Sequence, residues 1–214
     1  MSVDGEFFVS VVGSIEHANF YDVDNAYCKY GFHFGSEWSV VAGIEEGLTQ
    51  MCQCNSDPRN LIVWNFPVEI TFKSSNPHGW PQLIMSIYGL DLFGHDVIRG
   101  YGVCRIPLTS GHHEKKVPVY VPESSSTLQQ FAAWLTGRRP ELIDPTILAT
   151  GDGRELENFD NVTLMFYLII YFMNTVTRMR VEGTVTVAFN VALKDFRKLG
   201  YDNGEEREKQ HETR

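Results

Sequence analysis

From Leu61 to Lys73 nearly every second residue is large and apolar: Ile62, Trp64, Phe66, Val68, Ile70 and Phe72 alternate with Asn65, Glu69, Thr71 and Lys73. Side chains on an extended strand point to opposite faces in turn, so a period of two predicts a strand with one face in a core and one in solvent. The same period returns at Thr184 to Lys194, where Val185, Val187, Phe189, Val191 and Leu193 oppose Thr184, Thr186, Asn190 and Lys194. Shorter alternating runs fall at Phe7 to Ile15, Cys28 to Phe34 and Val117 to Val121. Leu83 to Leu92 and Val97 to Leu108 are apolar enough for buried strands. Turn-forming residues separate these runs at Ser74-Ser75-Asn76-Pro77-His78-Gly79, Phe93-Gly94-His95-Asp96 and Ser110-Gly111. So many strands at this spacing predict an all-β chain of two packed antiparallel sheets.

One segment reads as helix, near 126–136. Ser126 with Gln129 forms a capping-box pattern, Leu128, Phe131, Trp134 and Leu135 share a face, and Gly137 closes the end. With 214 residues and 43% apolar content the chain supports one domain, over 1–200. From Tyr201 to Arg214 it offers almost nothing to bury and reads as a disordered acidic tail. Val162 to Met173 does not fit this pattern, since it holds only one polar residue, Thr163, and does not alternate. A helix of that length reaches about 18 Å, against roughly 30 Å of bilayer hydrocarbon. A buried strand or helix turn, an exposed docking patch and sequence foreign to the fold all remain open for it.

Charge and cysteine usage exclude several classes. Lys plus Arg number 18 against 27 Asp plus Glu, and a net charge of −9 opposes broad attraction to nucleic acid or anionic lipid, so no nucleic-acid partner is expected. Cys28, Cys52, Cys54 and Cys104 are spread thinly behind a start, Met-Ser-Val-Asp-Gly, that is no secretory leader, which points to free thiols in a reducing compartment. In such a compartment the sequon Asn161-Val162-Thr163 would not meet the glycosylation machinery.

Catalytic spacings are missing: there is no His-Glu-x-x-His, Gly-x-Ser-x-Gly or Walker loop. Gly100-Tyr101-Gly102 reads as a strand where neighbouring backbone comes close. Cys52-Gln53-Cys54 with His112-His113 has the wrong spacing for a structural zinc site. Asp22, Asp24, Asp91 and Asp96 supply too few oxygens for calcium unless loops converge. No catalytic residue, metal or cofactor is expected. Basic residues gather at Lys115-Lys116, at Arg138-Arg139 and at Lys194, Arg197 and Lys198, a candidate contact for an acidic partner or lipid headgroup if they share a face. Arg138-Arg139 also complements the C-terminus of the predicted helix. Trp64, Phe66 and Trp80 are either core or interface anchors.

Longer stretches carry a resemblance. Tyr27-Cys28-Lys29-Tyr30, Gly43-Ile44-Glu45-Glu46-Gly47, Val63-Trp64-Asn65-Phe66-Pro67, Gly79-Trp80-Pro81-Gln82, Asp96-Val97-Ile98-Arg99-Gly100-Tyr101-Gly102, Gly137-Arg138-Arg139-Pro140-Glu141 and Arg197-Lys198-Leu199-Gly200-Tyr201-Asp202 stand in the order and wording of the B9-domain family. From about residue 10 to 203 the chain resembles that family. The resemblance implies a C2-like antiparallel β-sandwich without catalytic activity. It implies a scaffold subunit of the Meckel syndrome complex, assembled with B9 domain-containing protein 2, the Meckel syndrome type 1 protein and tectonic-type membrane proteins. The place implied is the cytoplasm and cytoskeleton at the cilium base, in the basal body and transition zone, with roles in ciliogenesis, in gating membrane-protein entry and so in hedgehog signalling. A C2-type phospholipid-binding module, with or without calcium and with peripheral membrane contact, is the alternative.

The chain departs from the family pattern in one place. That pattern runs the segment matching Gly153-Arg154-Glu155 directly into the one matching Val176-Thr177-Arg178, on a strand expected to turn at Glu182-Gly183. Leu156 to Thr175 therefore stands as an insertion, at 156–175. Retained intron or gene-model sequence and a species-specific contact are both open for it, and sequencing the mature transcript separates them.

Overall fold

The structure is a computed structural model that describes residues 5–20, 23–54, 61–91, 94–123 and 178–201. Ten strands form it: β1 (Phe7–Phe20), β2 (Asn25–His33), β3 (Trp38–Gly43), β4 (Glu46–Leu48), β5 (Cys52–Gln53), β6 (Leu61–Ser74), β7 (Gln82–Leu90), β8 (Asp96–Arg105), β9 (Gly111–Glu123) and β10 (Arg178–Lys194). The order across the sheet is β3-β6-β1-β10-β9-β8-β7-β2-β4, with β5 also on β2 and every pairing antiparallel. The packed antiparallel layers that the periodicity predicts are present, and they are two parts of one continuous sheet that curls over itself. The first five strands of that order form one layer and the rest form the other. They join at β8–β9, where a single pair, Tyr101 with Tyr120, holds the register.

The alternation predicted for β6 appears as burial. Ile62, Trp64, Val68, Ile70 and Phe72 are buried, while Val63, Asn65, Pro67 and Glu69 face out. Pro67 cannot donate to a ladder. β3 runs only beside Ile70–Ser74, so at Pro67 the one strand neighbour among the described residues is β1. β7 is buried on both faces: Leu83, Met85 and Ile87 face the core between the layers, and Ile84 and Ser86, pointing the other way, are buried too. That double burial is why β7 reads as a continuous apolar run.

The two layers meet across aromatic and indole contacts. Trp64 on β6 donates its Nε1–H to the Ala26 carbonyl on β2 at 3.1 Å, and the ring of Phe32 lies edge-on to Phe72 at 5.6 Å. At one end Trp38, Trp80, Phe7 and Phe196 pack together, with Trp38 and Trp80 at 5.1 Å and Phe7 and Phe196 at 4.9 Å. Tyr201 joins them, 5.9 Å from Phe7, so the packed chain extends to Tyr201. The tail beyond it at 202–214, the helix near 126–136, the insertion at 156–175 and the sequon at Asn161 lie outside the described residues.

Glu182-Gly183 is not the turn expected from the family pattern. β10 runs straight through it as a bulge between Val181 and Gly183, still paired with β9. A Cβ on Gly183 would come within 2.4 Å of the Asn19 carbonyl oxygen, so the glycine serves close approach of β1 instead of chain reversal. Gly100 has a similar role at the junction of the layers: a Cβ there would lie 2.5 Å from Val119 Cγ1 and 2.9 Å from the Tyr120 carbonyl oxygen. This bears out the structural reading of Gly100-Tyr101-Gly102.

Candidate docking surfaces

β10 ends at Lys194, which pairs with Phe8 on β1 and sets its ammonium 5.7 Å from the centre of that ring. Asp195 then takes φ 65°, a left-handed conformation that Asp tolerates, and reverses the chain into one 3₁₀ turn over Arg197–Leu199. Gly200, at φ 87°, closes the turn by donating to the Arg197 carbonyl at 3.0 Å. Lys198 folds back to ion-pair with Asp195. That hydrogen-bonded ammonium holds the half-buried Asp195 carboxyl below its ordinary value. Lys194, Arg197 and Lys198 thus gather at one end of β10. Lys73, which the periodicity does not single out, joins the row because β6 sets it opposite Phe8 from the other side, and it reaches Glu6 at 2.9 Å.

The remaining basic residues are elsewhere. Lys116 pairs with Thr186, eight residues along β10 from Lys194, or about 27 Å at the usual strand rise. Lys115 is half-buried and donates its Nζ to the Arg105 carbonyl at 3.2 Å. Arg138 and Arg139 lie outside the described residues.

Several groups that could do chemistry are tied into the fold, while Cys52 and Cys54 are half-exposed and Asp24 and Asp96 are exposed. Cys28 and Cys104 are buried, and burial raises both thiols, Cys104 to about 11, which suppresses the reactive thiolate. Asp91 receives the His95 backbone N–H at 2.8 Å and lies 3.2 Å from its Nδ1. His112 contacts Asn190 on β10 at 3.1 Å, and His113 contacts the Thr109 carbonyl at 2.9 Å. Among the described residues no three His, Cys, Asp or Glu side chains are placed to share a metal ion. Asp22 lies outside them.

Trp64 and Trp80 are core residues, each with its indole N–H satisfied, and Phe66 is half-buried against the same core. Four of the seven large apolar side chains exposed among the described residues lie instead where the sheet's two open edges meet. β3 and β4 end the strand order on opposite layers, yet only Ile44 and Glu45 connect them. Gly43, at φ 104° and with no room for a Cβ beside the Glu69 carbonyl oxygen 2.3 Å away, turns the chain from one layer to the other. Along this margin Val41, Ile44, Leu48 and Met51 are 52%, 64%, 56% and 44% exposed. Single exposed apolar residues need no explanation, but four within eleven residues on one margin make a candidate contact surface.

Comparison with known proteins decides the family. Residues 9–192 match the family model B9-C2, described as ciliary basal body-associated, B9 protein. The chain belongs to the B9 family. It is 47% identical to B9 domain-containing protein 1 of Mus musculus and 48% identical to that of Xenopus laevis, over 92% of this chain and 87% and 90% of theirs. It is also similar to B9 domain-containing protein 2 of Bos taurus, at 30% identity over 91% of this chain and 98% of that one. Among solved structures, a C2 domain of plant extended synaptotagmin 1 aligns with a TM-score of 0.38 and 13% identity, covering 87% of this chain and 93% of that one.

Proposed function

We propose that this B9 chain is a non-catalytic scaffold subunit at the base of the cilium. In this reading it assembles with B9 domain-containing protein 2, the Meckel syndrome type 1 protein and tectonic-type membrane proteins in the Meckel syndrome complex. There it helps to control which membrane proteins enter the cilium, and through that it affects ciliogenesis and hedgehog signalling. The observation that carries the reading is identity near one half over nearly the full length of B9 domain-containing protein 1 from mouse and frog. The apolar margin at 41–51 supports it, since a subunit that docks needs exposed anchors. The test is co-purification of the full chain with the two sister B9 proteins. A shared elution peak is expected, and an unshifted monomer in their presence overturns the reading.

A second reading, a phospholipid-binding module, has one specific observation in its favour. Lys194, Arg197 and Lys198 gather at one end of β10 with Lys73 close by. Against it, Lys198 and Lys73 already have carboxylate partners, and Lys116 lies too far along the strand to add to them. Flotation with phosphoinositide liposomes, in calcium and in chelator, separates the two readings. Absence of flotation in both removes the second.

A further inference from the structure

β4 is three residues long and pairs with a neighbour on one side only. Its register against β2 fixes which backbone groups are used. Phe32 donates to the Glu45 carbonyl at 3.0 Å and Thr49 donates to the Cys28 carbonyl at 2.9 Å. In an antiparallel ladder hydrogen-bonded and non-hydrogen-bonded pairs alternate, so Gly47 exchanges its bonds with Tyr30. The N–H and C=O of Glu46 and Leu48 therefore point away from β2, and no strand among the described residues takes them. Its shortness and the Glu46 carboxylate are devices by which native folds blunt an edge, but Ile44, Leu48 and Met51 beside them are all exposed and offer apolar contact to an incoming strand.

We infer that the β4 edge takes an added β-strand from a partner: an extended segment of apolar residues with Lys or Arg at the end that meets Glu45 and Glu46. The side chains set the pattern. Leu48 and Glu46 share a face with Lys29 and Gly31 of β2, so residues two apart on the added strand meet an apolar and an acidic neighbour. On the other face Gly47 has no room for a side chain of its own, since the Tyr30 hydroxyl sits 2.7 Å from where a Gly47 Cβ would stand, so the added strand's residue opposite Gly47 meets the Tyr30 ring. Among the described residues around this edge Glu45, Glu46 and Glu69 are exposed against one exposed cation, Lys29, which selects a basic segment. A second copy of the chain fits poorly, because it brings the same two carboxylates to the same three-residue edge. Strand addition of this kind takes affinity from backbone bonds and specificity from alternate side chains.

This deepens the scaffold reading and rests on it, but the two fail separately. The probe is a displayed library of short random peptides selected on the purified full chain. Enriched peptides are expected to be apolar with Lys or Arg at one end and to slow hydrogen exchange at the Glu46 and Leu48 amides. Their binding should weaken at least about tenfold in Leu48→Asp and Glu46→Lys, and stay unchanged in Val12→Asp, which alters an exposed apolar residue on β1. Exchange is read on the wild-type chain, so it does not depend on the variants folding. The inference is overturned if nothing enriches, if binders protect another segment, if they ignore both variants, or if the wild type self-associates through this edge and Ile44→Asp abolishes it. Co-purification with the sister proteins, run alongside, tests the scaffold reading alone.

Discussion

Trp80 shows how much one side chain holds together. Its ring packs on Trp38 and Phe196, and its Nε1–H reaches the Ile106 carbonyl at 2.9 Å inside the core. Trp80→Phe keeps most of the packing and orphans the carbonyl, at a cost of about 1–3 kcal/mol, while Trp80→Ala adds a cavity and costs about 3–5 kcal/mol. Denaturant unfolding of both variants checks this, and equal costs would remove the hydrogen bond from the account. The four thiols should divide in two. In the native protein at mildly alkaline pH, iodoacetamide should modify the half-exposed Cys52 and Cys54 and spare Cys28 and Cys104 until the chain unfolds. Mass spectrometry of labelled sites reads the division, and early labelling of Cys28 contradicts it. Asp195 carries a pH dependence of known sign. Lys198 holds its folded value below the ordinary 3.8, so the pairing favours folding fully above that value and is lost as pH falls through the lowered one. Lys198→Ala should raise the Asp195 titration midpoint measured by NMR, and an unmoved midpoint would refute the pairing.

At the scale of elements, pairing is uneven. β1 is bonded along nearly its whole length on both sides, to β6 and β10, whereas β8 and β9 share one register pair and β4 and β5 hang from β2 alone. Hydrogen exchange should therefore be slowest in β1 and fastest in β4 and β5, with β8 amides that face β9 exchanging before those that face β7. Uniform protection across β4 and β1 would contradict this. The same unevenness explains what the sequence makes legible. The long strands announce themselves because one face is buried and one is wet, as at Ile62 to Phe72. β3 does not, because a bulge between Val40 and Ala42 breaks its alternation, and β4 and β5 are too short for any period to show. The turn that the family pattern places at Glu182-Gly183 is a bulge instead, and only the close approach of β1 shows what the glycine serves.

The whole molecule shows why the candidate surface is harder to read than the fold. Distance along the chain groups the basic residues one way, but register decides which of them meet. It sets Lys73 beside Lys194 and carries Lys116 far down β10. Trp64 and Trp80 stand out in the sequence for their size, yet the curl of the sheet puts both inside. The margin at 41–51 does carry a signal, since Ile44 sits beside two acids and between two glycines, where a core residue is out of place. Its meaning depends on knowing that the two sheet edges meet there. The central claim, a B9 subunit that works by docking, has one direct measurement: sedimentation of the purified full chain mixed with B9 domain-containing protein 2 and the Meckel syndrome type 1 protein. A single heavier species containing all three is expected. Three independent boundaries at the sedimentation rates of the separate proteins would contradict it.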